Sequence, residues 1–132
     1  MSLLKLQIEY WRTSADENWK TALVLSQNKR YDACLFFCHL AIEKKLKGLV
    51  IIKAKESAPM IHNLEKLARI AELKITDDQL EKLQLITLFN IAGRYDDEKL
   101  AFYKKCTKKY TEENLKICEE IFLWLKKLYP KN

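Results

Sequence analysis

Three side chains that can hold or transfer a proton follow one another at four-residue intervals: His39, Glu43 and Lys47. In a helix this spacing places them on one face, with Lys44 and Lys45 beside them. A Glu43–Lys47 pair on a solvated helix surface would contribute about 0.2–0.5 kcal/mol. Alternatively, these groups serve a cleft or a subunit contact. The pattern alone leaves both interpretations open.

A second group of chemically active side chains lies between Gly93 and Tyr110. It mixes cations with aromatic rings: Arg94, Tyr95, Lys99, Phe102, Tyr103, Lys104, Lys105, Lys108, Lys109 and Tyr110. The segment is longer than the roughly 2–8 residues that usually connect two helices. We therefore expect a long connection, which either packs its rings on its own domain or presents cations and ring faces to a nucleotide or RNA.

Arg94 is the strongest candidate for binding an anion. It follows Gly93, which is predicted to end a helix, so its guanidinium would lie at a helix terminus where a bidentate phosphate contact is easily made. Tyr95 could stack on a base or donate its hydroxyl. Glu43 would orient the arginine or bind a ribose hydroxyl, and a purely structural pairing of Arg94 with Glu43 or Asp97 stays open.

The predicted ligand site combines this arginine with the polar helix face, where the lysines would add positive charge. Its candidate residues are Arg94, Tyr95, Glu43, Lys44, Lys47 and His39.

The composition indicates one all-α domain spanning residues 1–132. Only two Gly and two Pro are present, too few for the turns of a sheet protein. Hydrophobic residues make up 48% of the chain and charged residues 32%, which is typical of a globular protein with a charged surface. No apolar run approaches the roughly 18 residues of a membrane span and no secretion signal is evident, so we expect a cytoplasmic protein.

Several kinds of catalytic site are excluded by residue type and spacing. The four cysteines are expected to be reduced, buried thiols: Cys34, Cys38, Cys106 and Cys118. Neither histidine has a glutamate three positions before it, as a di-iron bundle would require, and two glycines cannot form a phosphate-binding loop. We expect no metal and no organic cofactor.

Hydrophobic periodicity predicts about five helices in an up-and-down antiparallel bundle. They cover about 4–27, 31–53, a short stretch after His62-Asn63, Thr76 to about Ala92, and Thr111 to just before Tyr129-Pro130. The side chains of His62-Asn63 are expected to cap the third helix, and Thr76 with Gln79 fits a capping box at the start of the fourth. The second is apolar almost all round and is therefore expected at the centre. Gly48 within it costs about 1 kcal/mol relative to Ala, which close approach of another backbone would explain.

Over nearly its whole length the chain resembles HEPN domains (higher eukaryotes and prokaryotes nucleotide-binding). The matching elements, in order, are Trp19 in the first helix, Tyr31-Asp32-Ala33, the block Ala41–Gly48, His62-Asn63-Leu64 with Leu67, and Ala92-Gly93-Arg94-Tyr95. Two positions depart from the family pattern. Asp96 stands where proline is usual, and His39 stands where glutamine is common.

The resemblance implies a homodimer that binds a nucleotide or nucleic acid. It also implies pairing with a separately encoded minimal nucleotidyltransferase in a toxin–antitoxin-like module. A homodimer also fits the large rings of Trp11, Phe36, Phe37 and Trp124, which are more than a small bundle needs to bury.

A ribonuclease is the alternative. HEPN ribonucleases carry a histidine four to six residues after the arginine, because cleavage needs a proton-transfer group beside a cation. No histidine occurs within seven residues after Arg94. The sequence therefore favours a non-catalytic binding module over a metal-independent endoribonuclease toxin with a degenerate motif.

Overall fold

The computed structural model describes residues 2–131, and within that range the chain is all-helical with no strand. The predicted all-α bundle is thereby confirmed. Its six helices are α1 (Leu3–Gln27), α2 (Tyr31–Ala54), α3 (Leu64–Ile70), α4 (Asp77–Thr87), α5 (Asp96–Lys105) and α6 (Lys108–Lys127).

Side-chain caps start the short helices where the sequence predicts them. At α4, the Thr76 hydroxyl accepts from the Gln79 backbone N–H at 3.1 Å, and the Gln79 side chain accepts from the Thr76 N–H at 3.0 Å. At α3, Asn63 Oδ1 accepts from the Lys66 N–H at 3.0 Å. These bonds satisfy backbone donors that have no partner within the helix.

Helix α4 ends at Thr87, earlier than the predicted end near Ala92. The backbone tightens there, with the N–H of Leu88 bonded to the carbonyl of Leu85 and the N–H of Phe89 to that of Ile86. The tightening turns the Phe89 ring into the core, where it is 1% exposed. Gly93, which was expected to end this helix, lies in a turn beyond its end. Its φ of 82° is a backbone conformation that favours glycine.

The predicted long connection between Gly93 and Tyr110 was wrong, because it contains a further helix, α5. No residue of α5 is buried, so it has no apolar stripe that periodicity could reveal. Its charges instead complement the helix dipole, with acids in the first turn and lysines in the last. Helix α6 likewise begins at Lys108 rather than Thr111, with the Thr107 hydroxyl accepting from the Tyr110 N–H.

Helix α2 lies at the centre, as predicted, and packs against α1, α6 and α3. Its buried residues run along almost its whole length, from Cys34 to Ile51. Leu35, Ile42 and Leu46 on α2 are fully buried. Any polar side chain on the enclosed part of α2 must therefore find its partners inside the protein.

Lys45 shows this requirement most clearly, because the whole residue is 1% exposed. Its ammonium lies 3.0 Å from Asp16 Oδ1 and donates to the Arg12 carbonyl at 3.3 Å. It also lies 5.4 Å from the centroid of the Phe122 ring and 5.2 Å from that of Tyr129. Burial lowers the pKa of Lys45, and Asp16 opposes the shift. This one side chain connects α1, α2 and the C-terminal part of the chain.

Tyr129 also explains Gly48. The Tyr129 hydroxyl donates to the Lys45 carbonyl at 2.6 Å, and a Cβ at position 48 would lie 2.1 Å from the same hydroxyl oxygen. A buried tyrosine side chain, rather than the backbone expected from the sequence, approaches this glycine. The contact fixes the segment after α6 onto α2.

Gly48→Ala should therefore destabilise the protein by about 1–3 kcal/mol through overpacking, although alanine is the better helix former. Urea unfolding of the variant measures the loss. In a Tyr129→Phe background the penalty should shrink, because the clashing oxygen is absent. An equal penalty in both backgrounds, or a stabilised variant, would show that the contact does not select the glycine.

Candidate functional site

A buried carboxylate, Glu43, organises the polar face of α2. The residue is 4% exposed. Its Oε1 accepts from His62 Nδ1 at 2.9 Å, and its Oε2 pairs with Lys47 Nζ at 3.1 Å. The Lys47 ammonium also lies 5.2 Å from the centroid of the Trp11 ring. The Glu43–Lys47 pair is thus buried, and the interpretation as a solvated surface pair is wrong.

His39 lies behind this carboxylate and is fully buried. Its Nε2 donates to the His62 backbone carbonyl at 3.2 Å and is 3.8 Å from Glu43 Oε1. Its Nδ1 is buried without a hydrogen-bond partner in the described chain. Burial lowers the pKa of His39, and the neighbouring Glu43 charge and the His62 carbonyl partly oppose the shift. The fold therefore favours a neutral imidazole here.

His62 is the residue of this cluster that sequence reasoning missed, because it was assigned only to the start of α3. Its side chain is 63% exposed, while its Nδ1 is held by the buried Glu43 carboxylate. An imidazole oriented in this way has Nε2 as its free ring nitrogen for binding or proton transfer. The signals in the sequence were its residue type and its place in the His62-Asn63-Leu64 element of the family resemblance, since no spacing relates positions 43 and 62.

Lys44 does not join this cluster, contrary to prediction. Its ammonium donates to Ser14 Oγ at 2.7 Å. This bond connects α2 to α1 and leaves Lys47 as the cation beside Glu43.

Arg94 lies elsewhere, beside a cleft of about 340 Å³ between the end of α4, α5 and the start of α6. We call this the Arg94 cleft. Its lining residues are Leu85, Leu88, Phe89, Arg94, Glu98, Ala101, Phe102, Lys105 and Tyr110.

Within the cleft, Arg94 Nε donates to the Asn90 carbonyl at 3.2 Å, and one terminal guanidinium nitrogen lies 3.6 Å from Glu98. Neither Glu43 nor Asp97, the two partners suggested by the sequence, forms an ion pair or hydrogen bond with Arg94 within the described range. The structural pairing is therefore made by a different acid. It leaves other guanidinium N–H groups available to a ligand.

Aromatic rings and a second cation complete the Arg94 cleft. The Lys105 ammonium lies 5.3 Å from the centroid of the Tyr110 ring, and the Phe89 and Phe102 rings are 5.9 Å apart. Burial raises the pKa of Tyr110. Tyr95, predicted to stack on a base here, is 80% exposed and does not line the cleft.

The residues predicted to form one site thus lie in two separate places, and Lys44 and Tyr95 belong to neither of them. One is the Glu43 cluster, formed by His39, Glu43, Lys47 and His62, and the other is the Arg94 cleft. No hydrogen bond or ion pair between residues 2–131 joins the two. The segment after His62 is nevertheless attached to the end of α4, because the Leu64 backbone N–H donates to the Thr87 side-chain hydroxyl at 3.2 Å.

Among the described residues, the side chains that could bind a metal ion do not form a metal site. Throughout 2–131 no group of three or more His, Cys, Asp or Glu side chains is arranged to hold a metal ion. The cysteines are free and buried. Burial raises the pKa of Cys106 to about 12, so its thiol is protonated at neutral pH. None of the described helices is both long enough and apolar enough to cross a membrane.

A family model for the HEPN domain matches residues 8–128. The chain belongs to the HEPN domain family. No match is found among curated protein sequences.

Two crystal structures share the HEPN fold of this chain. TT1696 from Thermus thermophilus is 22% identical with a TM-score of 0.74, and the alignment covers 92% of this chain and 97% of that one. ST0689, an archaeal HEPN homologue, is 20% identical with a TM-score of 0.64, covering 91% and 95%. At these sequence identities the similarity shows a shared fold alone.

The depressed pKa of His39 predicts an acid-sensitive fold. The unfolded chain binds a proton at His39 more tightly than the folded protein does. The free energy of unfolding is therefore unaffected by His39 above about pH 6.5, and it decreases as the pH falls below that value, by up to about 1.4 kcal/mol per pH unit. His39→Gln should reduce this dependence, since the glutamine amide can donate to the His62 carbonyl without titrating. Urea unfolding between pH 5 and 8 provides the measurement.

His62→Gln is the matched control, because it keeps His39 and should keep the acid dependence. Equal pH profiles for His39→Gln and the unsubstituted protein would contradict the assignment.

Proposed function

We propose that this HEPN protein is a non-catalytic module that binds a nucleotide or the phosphates of a nucleic acid. We propose also that it partners a separately encoded minimal nucleotidyltransferase, in a toxin–antitoxin-like pair. The observation that carries the binding proposal is the Arg94 cleft, in which two cations stand beside aromatic rings. Family membership supports the pairing.

The dimensions and chemistry of the Arg94 cleft suit such a ligand. Its volume of about 340 Å³ falls within the range of about 300–1,000 Å³ common for small-molecule sites. Arg94 and Lys105 offer charged donors to a phosphate. The neighbouring Phe102 and Tyr110 rings offer faces to a base. Glu98 is the acid that lines the cleft, and an arriving phosphate would compete with it for the guanidinium.

We further propose that the protein is a homodimer, formed through α2. Although α2 is the most enclosed helix, one face of its N-terminal half is only partly buried: Ala33, Phe36, Phe37 and Leu40. Phe36 also lines a shallow surface cleft with Ile91 and Ala92. A second copy would remove these apolar groups from water.

RNA cleavage is the second candidate function, favoured by the oriented, exposed imidazole of His62. A carboxylate-held histidine is a known arrangement for general acid–base catalysis. Against it stands the absence of a histidine after Arg94. Electrophoresis of RNA incubated with the protein separates the two: intact RNA supports the binding module, and cleavage that His62→Ala abolishes supports the nuclease.

Arg94→Ala should weaken the binding of a nucleoside monophosphate or short RNA by about 1.5–3 kcal/mol, the range for a charged hydrogen bond. Isothermal titration gives the affinity, and circular dichroism checks the fold. Arg69→Ala is the matched control, because Arg69 pairs with Glu65 on α3. An unfolded Arg94 variant, or no binding by the unsubstituted protein at millimolar ligand, would make the arginine structural.

Light scattering at tens of micromolar protein should give about twice the 15.7 kDa mass of one chain. Phe36→Glu should shift the particle towards the monomer mass, because a charge would be buried between the copies. Val24→Glu, on an exposed part of α1, should leave the mass unchanged. A monomer mass for the unsubstituted protein would reject the dimer.

A further inference from the structure

A second concentration of positive charge forms where the turn between α1 and α2 meets the end of α5. Lys29 in that turn and Lys104 on α5 line one cleft of about 290 Å³. Tyr31 and Tyr103 line it with them, and Asp32 is its acid. We call it the lysine–tyrosine cleft. These cations are far apart in the chain, so the fold alone brings them together.

In the part of the chain that the structure describes, the cations of this cleft have no carboxylate partner. Lys29, Lys104 and the adjacent Arg30 are exposed, and none of them belongs to an ion pair within residues 2–131. Asp32 lies in the first turn of α2, where the positive end of the helix dipole compensates its charge. The cleft therefore has a net positive charge that only solvent ions balance, which is the condition for binding a polyanion with counterion release.

The tyrosines indicate which polyanion. Tyr103 is 61% exposed and Tyr31 is half-buried beside it, so ring faces stand next to unpaired ammonium groups. Single-stranded nucleic acids bind to this combination, because their unpaired bases can stack on the rings while the cations follow the backbone. The bases of a duplex are already stacked on one another, and an acidic peptide has no bases to stack.

The two clefts lie on opposite sides of the last turn of α5. That turn places Phe102 and Lys105 in the Arg94 cleft and Tyr103 and Lys104 in the lysine–tyrosine cleft. Since a helix with its side chains is about 10–12 Å across, a mononucleotide cannot reach both clefts. A short single strand that crosses the end of α5 can.

We propose that a single-stranded nucleic acid crosses the end of α5 and occupies both clefts. This inference rests on the proposed function for the Arg94 cleft and adds that the ligand is an oligonucleotide. Phosphates then bind to Arg94 and Lys105 on one side and to Lys29 and Lys104 on the other. Base faces stack on Tyr103.

The test compares uridine monophosphate with fluorescently labelled octauridylate and octathymidylate, using fluorescence anisotropy over a range of salt concentrations. Both octamers should bind at least about tenfold more tightly than the monophosphate, because they reach two linked sites. In the double variant Lys29→Ala/Lys104→Ala the slope of log affinity against log salt should fall by about 1.4, or about 0.7 for each lost phosphate contact. Monophosphate binding should not change.

Two further variants make the test specific. Tyr103→Ala should weaken octamer binding at least about fivefold through lost stacking. Lys66→Ala/Lys74→Ala removes two exposed lysines that likewise have no ion pair within the described range, and it should bind octamers as the unsubstituted protein does. Equal slopes for the two lysine double variants would overturn the inference, as would equally tight binding of a blunt RNA duplex or of polyglutamate.

Failure of the inference differs from failure of the proposed function. If Arg94→Ala weakens the binding of every ligand while Lys29→Ala/Lys104→Ala weakens none, the proposal that a strand occupies both clefts is wrong, and the proposal that the Arg94 cleft binds the ligand is supported. If octamer binding depends on Lys29 and Lys104 but not on Arg94, the Arg94 cleft is not the ligand site. The proposal that a strand spans both clefts is then wrong as well.

Discussion

The enclosure of α2 is the constraint on which the rest of the structure depends. A helix covered by α1, α3 and α6 removes its side chains from water, so each polar group on it must be paired within the protein. Lys45 meets this requirement with Asp16 and aromatic rings, and Glu43 meets it with Lys47 and His62. Helix α2 also holds the loop before α3 and the segment after α6, since His62 and Tyr129 both bond to it.

The same enclosure separates two kinds of chemistry. Glu43 and Lys45 near the centre are paired with neighbouring side chains, whereas His39 Nδ1 has no hydrogen-bond partner in the described chain. The exposed His62 imidazole is the part of the Glu43 cluster most open to a ligand. Cations that are not paired inside the bundle lie at its periphery, on α5 and on the turn between α1 and α2. No residue of α5 is buried, and side chains from two sides of its last turn line the two clefts. The anion binding that we propose therefore lies at the edge of the bundle and not at its centre.

Prediction from sequence succeeded wherever a local physical rule was sufficient. The Thr76–Gln79 capping box and the Asn63 cap depend on residues three positions apart, and the central position of α2 follows from its own apolar composition. Prediction failed at α5, because periodicity detects a buried stripe and α5 has none. Acids at its start and lysines at its end were the available signal.

By itself, the sequence determined the helical class, the central helix, and the cation-rich segment that contains Arg94. Local spacing was enough for these, since each depends on neighbours within one or two turns of helix. Tertiary structure decided how the chemically active residues are grouped. In the folded chain Glu43 bonds to His62 and not to Arg94, and Lys44 bonds to Ser14. Lys29 and Lys104 line the same cleft. Such contacts between distant positions follow from how helices pack, which no local spacing encodes.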